Sequence, residues 1–252
     1  MNLLGSLLIA FSMYSRIPMP QVAWTKERMK YAMCFFPLIG AGIGLLVYLI
    51  CFFAESYGFP YIRKMIPMVV PVLVTGGIHM DGLLDVIDAR ASHGEKTKKL
   101  EILKDPHTGA FAIIGCAVYF LVYLVFFMEL DSHMIPAYCI GFVITRALSG
   151  LSVVTFPMAK SSGLAAAFSS GAQKRTVGVT MVIYLAAAFF GIWSIEGGKA
   201  LLTMVSISSL IYGWYYHMAK QEFGGITGDL AGYFLQICEL ALLIGISILS
   251  HF

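Results

Sequence analysis

Runs of about 20 apolar residues recur along this chain and constrain its fold more than any other feature. The hydrocarbon core of a bilayer is about 30 Å thick, which a helix of that length crosses. An isolated strand or loop cannot cross it, because its backbone polar groups would be left unsatisfied. Apolar segments lie near residues 31–54, 66–78, 109–129, 134–157, 176–195, 198–217 and 227–250. The pattern predicts an all-α, polytopic membrane bundle with about seven main spans.

The composition excludes a soluble globular domain. Of the 252 residues, 59% are hydrophobic and only 12% are charged, whereas about 25% of an ordinary soluble domain is charged. We expect residues 1–252 to form a single membrane-embedded domain. Residues 3–14 are too short to span and are expected to lie in the interface or to re-enter. The net charge of +3 is spread over the loops, which gives little support for nucleic-acid binding.

The basic residues predict the orientation in the membrane. If the spans alternate, residues 14–30, 79–108, 158–175 and 218–226 share one side and carry 13 Lys and Arg, against three on the other side. The positive-inside rule makes the richer side cytoplasmic. The unusual polar motifs fall on this side, so the sequence predicts a polar site that faces the cytoplasm.

The most informative motif is G-G-I-H-M-D-G-L-L-D-V-I-D-A-R at residues 76–90, which holds three of the six aspartates of the chain. On a helix, Asp81, Asp85 and Asp88 share one face. Three carboxylates about 6 Å apart repel by about 2–3 kcal/mol per pair, a cost that a bound divalent cation reverses. Such oxygen ligands suit Mg²⁺ or Mn²⁺. The alternative interpretation is a solvated helix face that follows a glycine cap.

The glycines of this motif favour a ligand site over a solvated face. The motif contains Gly76, Gly77 and Gly82. Glycine weakens a helix but allows close backbone approach to a ligand. Arg90 and His79 lie away from Asp81 on a straight helix, so Arg90 reaches the same ligand only if the helix ends or bends near Ala89.

A second motif, K-D-P-H-T-G-A-F at residues 104–111, combines a cation, a carboxylate and turn residues ahead of an apolar span. Lys104 could hold a phosphate, and Asp105 could be a metal ligand or a base. The alternative is a positive-inside anchor that carries an N-terminal helix cap.

A third motif, G-G-I-T-G-D at residues 224–229, runs into the last apolar segment. Four positions there share one helix face: Asp229, Gly232, Gln236 and Glu239. A carboxylate this deep in a membrane helix needs a partner or water, so Glu239 is expected to face the protein interior. Arg146, within the segment 134–157, is its expected partner. A structural ion pair without catalytic duty remains the alternative for these two residues.

Together these motifs resemble the cobalamin synthase family, adenosylcobinamide-GDP ribazoletransferase. The similarity lies in G-G-x-H-x-D-G-x-x-D-x-x-D at 76–88, K-D-x-x-x-G-x-F at 104–111, G-G-x-T-G-D-x-x-G-x-x-x-Q-x-x-E at 224–239 and Arg16-Ile17-Pro18. The order of the motifs, the chain length and the membrane character agree as well. The sequence departs from the pattern at Ala89-Arg90, Pro106-His107 and Tyr233, and it loses no acidic position.

The resemblance implies a catalytic domain that joins adenosylcobinamide-GDP to α-ribazole, or to its 5′-phosphate, and releases GMP. This is the last joining step of cobalamin assembly. The resemblance also implies Mg²⁺ as the cofactor, with Mn²⁺ as a substitute, and a place in the prokaryotic cytoplasmic membrane. Association with other cobalamin-assembly enzymes and the oligomeric state stay open.

The same resemblance assigns roles to the motif residues. The metal is held by Asp81, Asp85 and Asp88, with Asp105 or Asp229 completing the set. Phosphate oxygens are bound by Arg90 and Lys104, and the attacking hydroxyl is positioned by His79 or Asp105. Backbone N–H groups approach the nucleotide around Gly76, Gly77, Gly82, Gly224, Gly225, Thr227 and Gly228.

Two other functions are weighed against this one. A CDP-alcohol phosphotransferase also uses clustered aspartates at a membrane surface, but its D-x-x-D-G-x-x-A-R order is absent, because Gly82 follows the first aspartate here. An ion-coupled transporter would explain charged residues within spans and broken helices. Against transport, the polar motifs lie at one membrane face, and no inverted repeat is visible.

Overall fold

The computed structural model describes residues 3–160 and 164–252, and this part of the chain is built from helices joined by short turns. Its α-helices are α1 Leu3–Tyr14, α2 Lys26–Ala32, α3 Phe36–Ser56, α4 Pro60–Thr75, α5 Ile78–Ala91, α6 Lys96–Ile102, α7 Ala110–Glu129, α8 Ile135–Thr155, α9 Leu164–Gly171, α10 Lys174–Met218 and α11 Gly228–Leu249. A π-helical turn, Ala219–Phe223, follows α10. The predicted all-α class is confirmed.

The number of spans depends on how the two broken helical stretches are counted. Within the described residues, 5 helical stretches are long and apolar enough to cross a membrane: Lys26–Ser56, Ala110–Glu129, Ser132–Thr155, Lys174–Phe223 and Gly228–Leu249. Helices α4 and α5 are bent by 94° relative to each other, and if this pair counts as one span, the total rises to 6. The segment 66–78 lies mostly in α4, a helix of only 16 residues, and counts as a span only together with α5. The segments 176–195 and 198–217 lie in one helical stretch and are counted once here, although the backbone breaks between them.

That stretch, α10, consists of two helices that meet at Gly197. The φ of 79° and ψ of −170° at this residue are non-helical. An unbroken helix of 45 residues would be about 68 Å long, more than twice the thickness of the hydrocarbon core. The two predicted segments therefore meet at the residue where the backbone leaves the helical conformation.

Helix α8 lies at the centre of the bundle, where most of its residues are buried. Glycines in α3 allow that helix to approach it closely. A Cβ at Gly44 would lie 2.5 Å from the carbonyl oxygen of Cys139, and one at Gly40 would overlap the carbonyl of Phe142. Small residues at helix contacts are typical of membrane bundles, because backbone packing there replaces the hydrophobic driving force.

A buried ion pair joins α8 to α11. Arg146 is 0% exposed and Glu239 is 4% exposed, and the guanidinium donates directly to the carboxylate. Thr145 adds a hydroxyl 3.4 Å from the same carboxylate oxygen. The predicted partnership of Arg146 and Glu239 is confirmed, and it connects the central helix to the helix that carries the third motif.

We expect the variant Glu239→Leu to lose about 3–5 kcal/mol in the free energy of unfolding, because it leaves the Arg146 guanidinium buried without a counter-charge. The double variant Arg146→Met/Glu239→Leu should recover most of that loss, since apolar residues of similar volume often replace a buried pair without cost. Both free energies are measured by denaturation in detergent, with tryptophan fluorescence as the signal of unfolding. A Glu239→Leu variant as stable as the wild type would contradict a structural role for the ion pair.

Candidate active site

Gly76 and Gly77 turn the chain sharply between α4 and α5. Their φ values of 65° and 81° lie in the left-handed region, which is strained for residues with a Cβ. Arg16 supports the turn from outside, because its backbone N–H donates to the carbonyl of Val74 at 2.7 Å and its side chain packs over Gly76. The resulting bend of 94° directs α5, with its three aspartates, across the start of α11.

The two helices touch at Gly82. A Cβ at this position would lie 2.5 Å from the backbone carbonyl oxygen of Asp229. One turn further along α11, a Cβ at Gly232 would lie 3.1 Å from the carbonyl oxygen of His79. These close contacts bring the first and third motifs, about 150 residues apart in the sequence, to one place.

A cavity of about 380 Å³ opens beside this crossing. Five polar residues that line it form what we call the polar end: Asp81, Lys104, Lys160, Thr227 and Asp229. Thr227 caps α11, because its hydroxyl oxygen accepts the backbone N–H of Leu230 at 3.2 Å. All three sequence motifs therefore contribute to one cavity that holds both carboxylates and cations.

Lys160 is a site residue that the sequence reasoning missed, having used it only to predict orientation. Its segment runs beside the third motif, where Ile226 donates to Pro157 at 2.8 Å and accepts from Ala159 at 3.0 Å. The Lys160 ammonium donates to the carbonyl of Leu100 at 3.1 Å. Burial, and then the charge of Lys104, lower the pKa of Lys160. The signal in the sequence that could have indicated Lys160 as a site residue was the presence of a lysine in a chain with so few charges.

Asp88 contacts the start of α7. Its carboxylate accepts the backbone N–H groups of Gly109 at 2.5 Å and Ala112 at 2.8 Å. These are donors that the first turn of a helix leaves unpaired, so Asp88 completes the N-terminus of α7. Asp85, on α5 between Asp81 and Asp88, is half-buried. The assignment of Asp85 and Asp88 as metal ligands stays a prediction.

Arg90 lies in a separate cluster of charged groups. Helix α5 continues through Ala91, and the Arg90 guanidinium binds Glu222 at 3.1 Å and the hydroxyl of Tyr233 at 3.0 Å. Lys99 binds the same Glu222 carboxylate at 2.7 Å. In this arrangement Arg90 does not line the cavity, so phosphate binding by Arg90 would require the pair with Glu222 to open.

Asp105 is exposed at the surface turn after α6. Hydrogen bonds from the backbone N–H of His107 at 3.0 Å and from its ring at 2.7 Å hold the pKa of this carboxyl below its usual range. The neighbouring Lys104 lines the cavity, whereas Asp105 does not.

The predicted nucleotide-approach positions differ in their surroundings. Of the predicted nucleotide-approach positions, Thr227 and Gly228 line the cavity. Gly82 is covered by the Asp229 backbone, and a Cβ at Gly225 would lie 2.5 Å from the carbonyl oxygen of Pro157. Gly224, with a φ of 81°, ends the π-helical turn in the left-handed conformation.

The polar end offers carboxylate oxygens to a metal ion. Among residues 3–160 and 164–252, no three His, Cys, Asp or Glu side chains form a ready-made metal cluster. Mg²⁺ retains several waters and is commonly bound by one or two carboxylates together with substrate phosphates. Asp81 and Asp229 are hard oxygen donors in one cavity, so this donor set fits such a partly hydrated ion.

Nearly the whole chain is similar to proteins of one family. Residues 6–247 match the family described as cobalamin-5-phosphate synthase. The chain belongs to this family. A protein of Lachnoclostridium phytofermentans named adenosylcobinamide-GDP ribazoletransferase is 47% identical over 95% of this chain and 92% of its own length.

More distant relatives carry the same name. The protein of Clostridium perfringens strain SM101 is 33% identical over 94% of this chain and 96% of its own length. That of Desulfitobacterium hafniense is 28% identical over 95% of both chains. No solved structure matches the chain. The resemblance derived from the three motifs is confirmed.

Proposed function

We propose that this chain joins adenosylcobinamide-GDP to α-ribazole, or to α-ribazole 5′-phosphate, and releases GMP in the last joining step of cobalamin assembly. Membership of the family supports this reaction. The observation that carries the proposal is the placement of Asp81, Asp229, Lys104 and Lys160 in one cavity. Transfer of a phosphorus centre between two oxygens needs this combination of carboxylates and cations.

The bond changes define what the site must do. A ribose hydroxyl of the acceptor attacks the phosphorus attached to cobinamide, a new P–O bond forms and the pyrophosphate P–O bond breaks. GMP leaves with the electron pair, and the hydroxyl proton passes to a carboxylate or to water. In α-ribazole 5′-phosphate the 5′ position is blocked, so a secondary ribose hydroxyl serves both acceptors.

The polar end supplies groups for each of these needs. Asp81 and Asp229 both line the cavity, and one of these carboxylates would orient the hydroxyl and accept its proton. Lys104 and Lys160 bind oxygens of the pyrophosphate and stabilise the charge that develops on departing GMP. Both ammonium groups belong to segments outside the long apolar helices, which suits an anionic substrate that arrives from water.

Magnesium, with manganese as a substitute, is the metal that this donor set favours. Asp81 and Asp229 are the residues that would hold it, with Asp85 next to them on α5. Bound there, the ion would neutralise the negative charge of the pyrophosphate. Asp88 is bound by the start of α7 and Arg90 by Glu222, so a role for either residue at the metal or the phosphates would require these contacts to be shared or opened.

The cavity faces the cytoplasm of a prokaryotic cell in this proposal. The polar end draws Lys104 and Lys160 from the loops that carry 13 of the 17 Lys and Arg. Basic loops remain on the cytoplasmic side of a membrane.

We expect Lys160→Ala to weaken the apparent affinity for adenosylcobinamide-GDP by about tenfold or more, because a charge-assisted hydrogen bond to phosphate contributes about 1.5–3 kcal/mol. Steady-state rates of GMP release at varied donor concentration measure this change. Lys174→Ala, at an exposed position at the start of α10, is the matched control and should behave as the wild type. Equal donor affinity in the two variants would remove Lys160 from the site.

The choice between donors tests the proposed function. Purified protein in lipid nanodiscs is supplied with adenosylcobinamide-GDP and α-ribazole, or with CDP-diacylglycerol and an alcohol acceptor, and products are identified by mass spectrometry. The proposal predicts a cobalamin and GMP from the first pair and no CMP from the second. Release of CMP instead would assign the chain to the CDP-alcohol phosphotransferases.

A further inference from the structure

The cavity has a second end of different chemistry. Four aromatic rings that line it form what we call the aromatic end: Tyr14, Phe36, His79 and Phe168. They come from α1, α3, α5 and α9. The rings of Tyr14 and Phe36 are 4.4 Å apart, and those of Tyr14 and Phe168 are 6.1 Å apart. The proposed transfer chemistry at the polar end makes no use of these rings.

One polar atom at the aromatic end lacks a partner. His79 is 4% exposed, and its Nε2 has no hydrogen-bond partner within the part of the chain that the structure describes. The imidazole lies between Tyr14, stacked at 6.2 Å, and the edge of Phe36 at 5.9 Å. The buried Arg146 guanidinium also acts on this imidazole, and two of the guanidinium nitrogens lack a partner among the described residues as well. A buried polar atom is normally paired, so the unpaired Nε2 beside the two rings favours a ligand that supplies a complementary atom.

The size and polarity of the cavity select the ligand. About 380 Å³ accommodates a ligand of ordinary drug size, which excludes the much larger corrinoid ring system of the donor. Guanine carries several donors and acceptors on its edge and would leave most of them unpaired beside Phe36, Phe168 and Met33. A dimethylbenzimidazole ring is flat and apolar, and in its riboside it has a single free ring nitrogen.

We infer that the aromatic end binds the heteroaromatic base of the acceptor, with His79 Nε2 paired to the free ring nitrogen. This inference rests on the proposed function and locates its acceptor. Aromatic side chains stack on flat bases. Asp81 and His79 line the same cavity, so a nucleoside whose base occupies the aromatic end can direct its ribose towards the reacting phosphorus.

The affinity of the chain for α-ribazole tests this assignment without turnover. Binding to purified protein in nanodiscs is followed by fluorescence of the benzimidazole, with no donor present. We expect Phe168→Leu to raise the Kd for α-ribazole about tenfold and to leave the Kd for adenosylcobinamide-GDP within about twofold. Phe190→Leu, at a ring that is 64% exposed on the outside of α10, is the matched control and should change neither value.

A comparison of ligands tests the role of His79 even if Phe168→Leu fails to fold. The α-riboside of 5,6-dimethylindole has the shape of α-ribazole but carries a C–H in place of the free ring nitrogen. The wild type should bind it about fivefold more weakly, and His79→Phe should bind both ribosides equally. That variant keeps an aromatic ring and loses both ring nitrogens.

Two results would overturn the inference. One is an unchanged α-ribazole Kd in folded Phe168→Leu protein. The other is equal affinity of the wild type for the two ribosides. Failure of the proposed function has a different signature, namely no GMP from the wild type when donor, acceptor and Mg²⁺ are all present.

Discussion

The variant Asp229→Asn is expected to reduce kcat for GMP release by about 10³-fold, and Asp81→Asn should do the same. Each carboxylate lies at the polar end of the cavity, where the amide keeps the shape and removes the charge. Loss of a metal-binding or proton-accepting carboxylate removes several kcal/mol of transition-state stabilisation, and about 4 kcal/mol corresponds to a factor of about 10³ in rate.

Asp131→Asn is the matched control for these variants. Asp131 is exposed in the short turn between α7 and α8 and contributes nothing to the cavity. Its variant should turn over at the wild-type rate. Thermal unfolding in detergent shows whether Asp81→Asn and Asp229→Asn remain folded. Near-wild-type turnover in a folded Asp229→Asn protein would remove the carboxylate from the mechanism.

The variant Gly82→Leu should lose at least about 100-fold in turnover. The new Cβ would lie 2.5 Å from the backbone oxygen of Asp229, and a backbone atom of a helix cannot move aside alone. The helices α5 and α11 must therefore separate, and a displacement of about 1 Å of reacting groups costs about 10²-fold in rate. Overpacking of this kind also costs about 1–3 kcal/mol of stability.

Gly42→Leu controls for the substitution itself. Gly42 lies on the exposed face of α3, where a Cβ would meet no atom within 4 Å. The same change there should leave turnover and unfolding temperature unchanged. If Gly82→Leu behaved like Gly42→Leu, the close crossing of α5 and α11 would have no part in assembling the site.

The sequence was sufficient for features that depend on local periodicity. Helix α5 carries its three aspartates as the spacing predicted, and α11 carries Asp229 and Glu239 along one stretch of helix. The partnership of Arg146 with Glu239 followed from the cost of an unpaired charge in a membrane. The cytoplasmic orientation and the metal remain proposals.

The sequence was insufficient where the outcome depends on the bend between α4 and α5. That bend decides which groups meet α5, so the pairing of Asp88 with the start of α7 and of Arg90 with Glu222 could not be derived from spacing. Lys160 has no neighbouring motif that would mark it. The aromatic end combines residues from four distant helices, and no periodicity relates them.

The most direct test of the account is GMP release by the wild-type protein in lipid nanodiscs, supplied with adenosylcobinamide-GDP and α-ribazole, first with Mg²⁺ and then with excess chelator. The account predicts equal amounts of GMP and a cobalamin with the metal, and neither product after chelation. A folded protein that released no GMP with α-ribazole or its 5′-phosphate would contradict it, as would GMP release without formation of a cobalamin.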